Sequence, residues 1–214
     1  DLSLFYNSYE DFHVQAFDPS EGGASALRNA GRTTTRGAEL SVNWQPTDGF
    51  SLESAVQYLD AFFEEFVGAP CFPGQTAAGG CLSSDSGVSF QDLEGQGLPN
   101  APEWKLSIIP RYEHAMANGA SVFGQSVISY QSEVQFALNQ DPSTIQDGYA
   151  LVELSAGYVA PDDQYRVTLY ARNLFDEFYT TSIGGTFVND PGGQFQIVPR
   201  GAERILGIEL QVGF

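Results

Sequence analysis

Few residues of this chain have types and spacings that could do chemistry. Cys71 and Cys81 are its two cysteines, and they lie in a segment rich in glycine and proline. Such a pair could form a disulfide, or it could contribute to a metal or catalytic site. The two histidines, His13 and His114, stand apart from any recurring arrangement of serine and aspartate. A Ser-His-Asp triad and a histidine-rich metal cluster are therefore not predicted.

The acidic residues form adjacent pairs rather than converging groups. These pairs are Glu64-Glu65, Asp162-Asp163 and Asp176-Glu177. Neighbouring residues of an extended chain point to opposite sides, whereas catalysis by two carboxylates needs both groups at one reacting bond. The scattered glycines at 184–193 lack the strand-loop-helix context that would cradle a phosphate. The sequence therefore predicts no catalytic residues, no cofactor site and no metal site.

Composition narrows the class of protein further. The 214 residues include 9 basic and 27 acidic side chains, for a net charge of −18 at pH 7. That balance argues against nucleic-acid binding through phosphate neutralisation. Aromatic residues make up 13% of the chain, unlike a disordered acidic tail. The longest unbroken apolar run, Tyr149–Val152, is far shorter than the roughly 18 to 20 residues of a spanning helix. Any passage through a membrane would have to use strands.

Apolar residues recur with a period of two. Apolar and polar side chains alternate through eight segments, which is the pattern of strands with one apolar and one polar face. Phe123 and Val127 interrupt the pattern. The segments are Leu2 to about Gln15, Ala38–Trp44, Phe50–Tyr58, Trp104–Tyr112, Val122–Phe136, Ala150–Tyr158, Tyr165–Ala171 and Leu206–Phe214.

The connections between the predicted strands alternate between short and long. This asymmetry is typical of an antiparallel outer-membrane barrel, whose short turns are periplasmic and whose long loops are extracellular. A soluble β-sandwich also alternates, but its strands usually have only about five or six residues. We therefore predict an all-β fold, a transmembrane antiparallel up-and-down β-barrel. The short connections are 46–49, 117–119 and 161–163, and the long ones are 17–30, 67–97, 137–147 and 179–197.

The two faces of the predicted strands carry different residues. Aromatic side chains lie near strand ends, where the headgroup girdles of a membrane barrel would be. They are Trp44, Phe50, Tyr58, Phe62, Tyr112, Tyr165 and Phe214. Charged residues are predicted to face the lumen, and they are Glu39, Glu53, Glu103, Lys105, Arg111, Glu133, Glu153, Arg166, Arg172, Glu203 and Glu209.

The last two predicted strands contain distinctive sequence. Gln164–Tyr179 reads QYRVTLYARNLFDEFY, and Gly201–Phe214 reads GAERILGIELQVGF. These stretches resemble the last two strands of TonB-dependent outer-membrane receptors. The family's Asn-Leu-Phe-Asp-x-x-Tyr pattern is matched by Asn173, Leu174, Phe175, Asp176 and Tyr179. Its alternating final strand with a terminal aromatic residue is matched by Leu206, Ile208, Leu210, Val212 and Phe214. Two further stretches, Thr35–Leu40 and Leu98–Glu103, also agree with the family.

The resemblance implies a place in a larger molecule. Receptors of this family are 22-stranded barrels with an N-terminal plug, so residues 1–214 would supply about eight C-terminal strands of such a barrel. Nothing in the chain resembles the plug or the TonB-contacting box, and we expect both to lie outside it. The alternative is a self-contained eight-stranded outer-membrane barrel with a structural or adhesive role.

The resemblance also implies a function and a set of partners. The chain would belong to a transporter in the outer membrane of a Gram-negative bacterium, taking up a ferric siderophore, cobalamin or a saccharide. Ligand contacts are expected in segments 67–97 and 179–197. Expected partners are outer-membrane lipid and lipopolysaccharide, TonB through the plug region, and the barrel-assembly machinery through the final strand. An outer-membrane enzyme is disfavoured, since neither histidine is placed to serve as a base.

Two local expectations depend on this topology. A loop on the cell surface is oxidising, so we expect Cys71 and Cys81 to form a disulfide rather than a metal or catalytic pair. The disulfide would rigidify a ligand-contacting loop or protect that loop from proteolysis. Asn173 breaks the apolar alternation of its segment, and we predict a β-bulge there.

Overall fold

The computed structural model describes residues 1–18, 24–85, 87–186 and 193–213. Among them, four short 3-10 helices lie at Ala77–Gly79, Pro142–Thr144, Pro161–Asp163 and Arg200–Ala202. In these ranges no helix has the length and apolar character needed to cross a membrane. The strands are β1 (Leu2–Glu10), β2 (His13–Asp18), β3 (Ala24–Asn29), β4 (Arg32–Thr47), β5 (Phe50–Glu65), β6 (Val67–Ala69), β7 (Leu82–Ser83), β8 (Ser89–Asp92), β9 (Trp104–Ala115), β10 (Ser121–Gln131), β11 (Val134–Gln135), β12 (Ile145–Gln146), β13 (Tyr149–Val159), β14 (Tyr165–Arg172), β15 (Ser182–Thr186), β16 (Gly193–Ile197) and β17 (Ile205–Val212).

Eight long strands form one antiparallel sheet in the order β1-β4-β5-β9-β10-β13-β14-β17. Each strand pairs with the next long strand along the chain, which is the predicted up-and-down topology. The links β4–β5, β9–β10 and β13–β14 are tight turns at one end of the sheet. The long connections at the other end contain the short strands, paired among themselves as β2-β3, β6-β8-β7, β11-β12 and β15-β16. The predicted eight strands and their alternating connections are confirmed.

Two predicted strands are shorter than expected. β1 ends at Glu10, because Asp11 adopts a positive φ of 53° and the chain then enters the β2–β3 hairpin. β10 ends at Gln131, its last residue paired with β13, and Val134 begins a separate pair with β12. Both corrections fall at the long-loop end, where local pairing within a loop replaces pairing in the sheet.

The apolar rows lie on the outside of the sheet. Leu40 pairs with Leu2 and Val56, and Leu169 pairs with Ile208, so apolar side chains are direct neighbours across strands. Leu40 is 45% exposed and Leu169 59% exposed, which places these rows outside any protein core. A sandwich would bury them between two sheets. In a membrane barrel the same surface is covered by acyl chains.

Aromatic side chains mark both ends of the apolar rows. At the short-turn end, the rings of Trp44 and Phe50 lie 6.1 Å apart, centroid to centroid. At the long-loop end, Tyr58 and Trp104 lie 4.8 Å apart. The eight residue-to-residue steps from Trp104 to Tyr112 on β9 span about 26 Å along a strand, or about 20 Å at a tilt of about 40°. That height is close to the apolar band of about 25 Å that outer-membrane barrels present to lipid.

The sheet is open. Within the described ranges, β1 pairs only with β4, and β17 pairs only with β14. The alternative of an eight-stranded barrel that closes on itself is therefore wrong, because closure would require β1 to pair with β17. An open edge cannot remain unpaired in hydrocarbon, since its backbone N–H and C=O groups would lack partners.

The buried hydrophobic core lies among the loops rather than in the sheet. Phe63, at the loop end of β5, is fully buried and packs 5.1 Å from the Phe66 ring. Ala30, Ala69 and Leu93 complete this loop core. Because these residues come from three separate stretches of chain, they fix the first two long loops to the end of the sheet.

Candidate functional site

The polar face of the sheet carries a row of side chains that crosses five strands. Direct pairing places them in the order Glu39, Gln57, Lys105, Gln131 and Tyr149, from β4 to β13. The Gln57 amide donates to the Glu39 carboxylate at 3.4 Å. The row lines a depression of about 690 Å³ on this face of the sheet. It offers amide, ammonium, carboxylate and phenol groups to a polar solute.

Lys105 stands at the centre of this row and is the only lysine in the sequence. Its neighbours across the strands are the uncharged Gln57 and Gln131. In the described part of the chain, no carboxylate lies within ion-pair distance of its ammonium group. The charge of Lys105 is therefore available to a ligand or to another part of the protein.

A stacked pair of tyrosines borders the row at the long-loop end. The rings of Tyr149 and Tyr179 lie 4.6 Å apart, with their planes 21° from parallel. Tyr149 begins β13, while Tyr179 is the last residue of the Asn-Leu-Phe-Asp-x-x-Tyr motif. The pair presents a flat aromatic surface next to the polar row.

The motif itself forms a turn that ends β14. Asn173 has a φ of +47° and is buried, and its side chain satisfies three backbone groups. The Asn173 amide donates to the carbonyls of Glu177 at 2.9 Å and Gly201 at 3.1 Å, while its oxygen accepts from the Glu177 N–H at 2.8 Å. Regular pairing of β14 ends at Arg172, so the irregularity predicted at Asn173 is present, and asparagine is favoured there because it tolerates the left-handed region.

Asp176 and Leu174 extend this turn. Asp176 also has a positive φ, 59°, and its carboxylate accepts from the Arg204 N–H at 2.8 Å. The Leu174 N–H donates to the Val152 carbonyl of β13 at 2.8 Å. Phe175 is 71% exposed. The motif thus joins the ends of β13, β14 and β17, which is a structural role.

The residues of the final-strand pattern lie on the outer face. Leu206, Ile208, Leu210 and Val212 are all at least half exposed, and each pairs with an apolar residue of β14. Phe214 lies outside the described residues. The arrangement leaves one edge of β17 free of pairing in the described sheet.

Three long loops are tied together by hydrogen bonds. The buried Gln91 donates to the Pro70 carbonyl at 2.7 Å and to the Asn139 carbonyl at 2.8 Å, which links loops 66–103 and 132–148. The side chain of Gln146 accepts from both the N–H and the hydroxyl of Thr180, at 2.9 and 2.8 Å. This second bridge links loop 132–148 to loop 173–204. The long-loop end therefore behaves as one connected surface.

Cys71 and Cys81 form a disulfide within the first of these loops, with their Cα atoms 5.8 Å apart. The bridge closes a small ring that is also held by Gln75, whose amide donates to Gly79 and to Gln91, both at 2.9 Å. The disulfide ring and the Gln91 bridge are thus parts of one network.

A compact cluster occupies the polar face at the opposite, short-turn end. The Arg111 guanidinium lies 4.4 Å from the centroid of the Phe123 ring, and that of Arg166 lies 5.9 Å from it. Arg111 pairs with Glu113 at 2.7 Å, and Ser121 donates to the same carboxylate at 2.9 Å. Phe123, which broke the alternation in the sequence, is buried by lying across Gly157 of β13.

The remaining sequence candidates do not converge. His13 lies in β2 and His114 in β9. Glu64 contacts Thr34 and Arg32, whereas Asp162 and Asp163 lie in a tight turn with positive φ. Across the described ranges, no three His, Cys, Asp or Glu side chains come close enough to hold a metal.

The charged residues predicted on the polar face are placed unevenly. Those within the long strands lie opposite the apolar rows, as Glu39 and Arg111 illustrate by pairing with polar residues. Glu103, Glu133 and Glu203 lie outside the strands. Alternation alone also places Gln57 and Gln131 on the polar face, but no sequence signal identified Gln91.

The chain is similar to known proteins in both sequence and structure. The sequence model of a family described as TonB dependent receptor-like, beta-barrel matches residues 1–174. The ferric yersiniabactin uptake receptor FyuA from Yersinia pestis is similar in structure, with a TM-score of 0.70 and 18% sequence identity. That match covers 100% of this chain and 27% of FyuA.

Two further solved structures share the fold. The siderophore receptor PiuA from Acinetobacter baumannii has a TM-score of 0.62 and 17% identity, covering 98% of this chain and 24% of PiuA. The ferric-catecholate import receptor Fiu from E. coli K12 has a TM-score of 0.57 and 18% identity, with coverages of 98% and 24%. The chain thus spans about a quarter of the length of these receptors.

Proposed function

Because the chain belongs to the TonB-dependent receptor-like β-barrel family, we propose that it forms part of the wall of an importer that captures a ferric siderophore. Barrels of this family lie in the outer membrane of Gram-negative bacteria, and the apolar outer rows of the sheet face its lipid. The observation that carries the proposal is the family match over residues 1–174, together with a fold shared with FyuA over the whole chain.

The two ends of the polar face have separate parts in this proposal. The long loops, joined through Gln91 and Gln146, and the stacked Tyr149–Tyr179 pair would form the capture surface. The row centred on Lys105 would line the path below it. Energy would come through TonB and a plug carried by another part of the receptor. PiuA is a siderophore receptor and Fiu imports ferric catecholate, which favours a ferric siderophore over cobalamin or a saccharide as the ligand of this chain.

The position of the chain within the receptor is also a proposal. We infer that residues 1–214 form the C-terminal part of the barrel, since the motif at Asn173 and the alternation of β17 resemble the family's last two strands. The free edge of β17 would then pair with the first strand of the barrel, and the assembly machinery would recognise this strand. Contact with lipopolysaccharide is proposed for the outer face near the long loops.

Uptake by the full-length receptor tests the proposal. Cells that depend on it under iron limitation should accumulate radioactive iron presented as a siderophore, and deletion of tonB should abolish this uptake. Tyr149→Ala removes one ring of the proposed capture surface, and since an aromatic contact with the ligand would be worth about 0.5–1.5 kcal/mol, binding should weaken about twofold to tenfold. Tyr158→Ala, on the opposite face of the same strand, is the matched control and should bind normally.

Other outcomes would overturn the proposal. Uptake of cobalamin or a saccharide, with no response to iron, would reject the siderophore assignment. Uptake that persists without TonB would reject the mechanism. Equal binding by the Tyr149 and Tyr158 variants would remove the stacked pair from the capture surface.

A further inference from the structure

The outer, apolar face of the sheet is not uniform but contains a depression of about 580 Å³. Its floor is made by Gly124, Ser126 and Ala156, which have small side chains. Its walls include Tyr112 and Leu169, which are 55% and 59% exposed. The outer face of β17, by contrast, carries the larger side chains of Leu206, Ile208, Leu210 and Val212.

This depression lies in the interior of the sheet. Gly124 pairs with Tyr112 on one side and with Ala156 on the other, and Ala156 pairs in turn with Leu169. Strands β9, β10, β13 and β14 each have two paired neighbours. The depression is therefore complete in this chain, and strands added at either edge of the sheet would not cover it.

The depression contains no charged group. Arg111 borders it through its backbone position, but its guanidinium is bound to Glu113 and packs on Phe123 at the opposite face. The hydroxyl of Ser126 donates to the Glu153 carbonyl at 3.1 Å, so it is satisfied within the sheet. The exposed surface is consequently suited to hydrocarbon.

The aromatic residues indicate how deep the depression lies in the membrane. Tyr112 and Phe50 are directly paired at the short-turn end of the apolar rows, at the level of the headgroups. The depression extends from them towards the middle of the bilayer, along Ser126 and Leu154. His114 is exposed on the same face of β9, about 7 Å beyond Tyr112 and outside the hydrocarbon. Since short turns are periplasmic, this half of the bilayer is the periplasmic leaflet.

We propose that this depression is a binding site for one acyl chain of a phospholipid in the periplasmic leaflet, with its headgroup next to Tyr112 and His114. Acyl chains are as apolar as leucine, so burial from water cannot select the site. Selection comes from packing, because an acyl chain lying on Gly124 and Ala156 also contacts the side chains of Tyr112 and Leu169 and gains dispersion contacts that a flat row does not give. The site is continuous with the surface that already faces lipid.

The size of the depression favours lipid over a second copy of the protein. It spans four strands, or about 14 Å, and about 7–10 Å along them. An area of roughly 100–140 Å² is well below the roughly 800 Å² per partner of a standard protein interface. A single chain fills such a space, whereas a protein partner would require a larger apolar face around it.

Photolabelling of the full-length receptor in phospholipid vesicles tests the site. The probe is phosphatidylethanolamine with a diazirine in the middle of one acyl chain, and labelled peptides are identified by mass spectrometry. We expect several-fold more label on β10 and β13 than on β17, whose outer face is equally apolar. Unlabelled phosphatidylethanolamine in excess should remove this difference.

The Gly124→Leu variant fills the floor and should lower the label on β10 and β13 to the level of β17. A Cβ at Gly124 meets no atom within 4 Å, so the fold accepts the substitution. Val42→Leu, on the outer face of β4, is the matched control and should label like the wild type. Ala156→Leu is a second filling variant if Gly124→Leu assembles poorly.

Three results would overturn the proposal. They are equal labelling of β10 and β17 in the wild type, unchanged labelling in both filling variants, and disulfide crosslinking between receptor copies in a Gly124→Cys variant. Siderophore uptake should be normal in Gly124→Leu, so failure of this site is distinguishable from failure of the proposed transport function.

Discussion

Replacing Gly157 by alanine should destabilise the barrel, because the ring of Phe123 occupies the space above this glycine. An ideal Cβ at Gly157 would lie 2.6 Å from two carbons of the Phe123 ring and 2.7 Å from the Val167 carbonyl oxygen. Distances below 3.0 Å do not occur between real Cβ atoms and their neighbours. The ring must therefore move, and Arg111 would lose its place over that ring.

The expected cost can be worked from these contacts. Overpacking of a well-packed site costs about 1–3 kcal/mol, and loss of one cation–π contact adds about 0.5–1 kcal/mol. Gly157→Ala should therefore lower the free energy of unfolding by about 1.5–4 kcal/mol. Gly124→Ala on the adjacent strand is the matched control, since its Cβ would enter open space. There alanine should be neutral or stabilising by about 0.5–1 kcal/mol.

Urea unfolding of the detergent-solubilised full-length receptor, followed by tryptophan fluorescence, measures the difference. The double variant Gly157→Ala with Phe123→Leu should recover part of the loss, because the shorter side chain leaves room for the methyl group. Equal midpoints for Gly157→Ala and Gly124→Ala would refute the reasoning. Purely additive effects in the double variant would show that the ring is not the obstacle.

Three further variants probe the loops. Asn173→Ala should leave the backbone of Glu177 unpaired and cost about 1–3 kcal/mol, seen as faster proteolysis of the loop after β14. The double variant Cys71→Ser with Cys81→Ser should destabilise loop 66–103 by about 2–3 kcal/mol without unfolding the sheet. Limited proteolysis of that loop measures the effect. Gln91→Leu should raise amide hydrogen exchange in both loops that it joins.

Each of these variants has its own control. Asn173→Asp retains an oxygen acceptor and tolerance of positive φ, so it should be milder than alanine. Reduction of the wild type should reproduce the double serine variant, and unchanged proteolysis in both would contradict a stabilising disulfide. The control for Gln91→Leu is Gln194→Ala in loop 173–204, which should leave amide hydrogen exchange near Pro70 unaltered. If Gln91→Leu raised amide hydrogen exchange in only one of the two loops, the Gln91 bridge would not couple loop 66–103 to loop 132–148.

Alternation made the sheet predictable. Each strand needs only its own sequence to separate an apolar side from a polar side, so Leu40, Leu169 and Leu210 could be assigned to one face without knowing their neighbours. The structure confirms that assignment through their exposure and pairing. Turn-forming residues likewise indicated which connections are short.

The loop end was less predictable, because its interactions join residues distant in sequence. Gln91 looks like any glutamine until Pro70 and Asn139 are brought to it. At Asn173 the sequence indicated an irregularity but not its exact form. A bulge and a strand-ending turn both break alternation, and the choice between them depends on contacts with residues near Gly201.

The sequence by itself determined that this chain crosses a membrane with strands, which side of each strand is apolar, and where the long loops lie. Those properties are local, since they depend on residue type and spacing. Only the tertiary structure decided that the sheet is open, that Glu39 to Tyr149 form one polar row, and that small side chains gather beneath Tyr112. Register between strands sets these features, and a shift of one residue would turn every side chain to the other face.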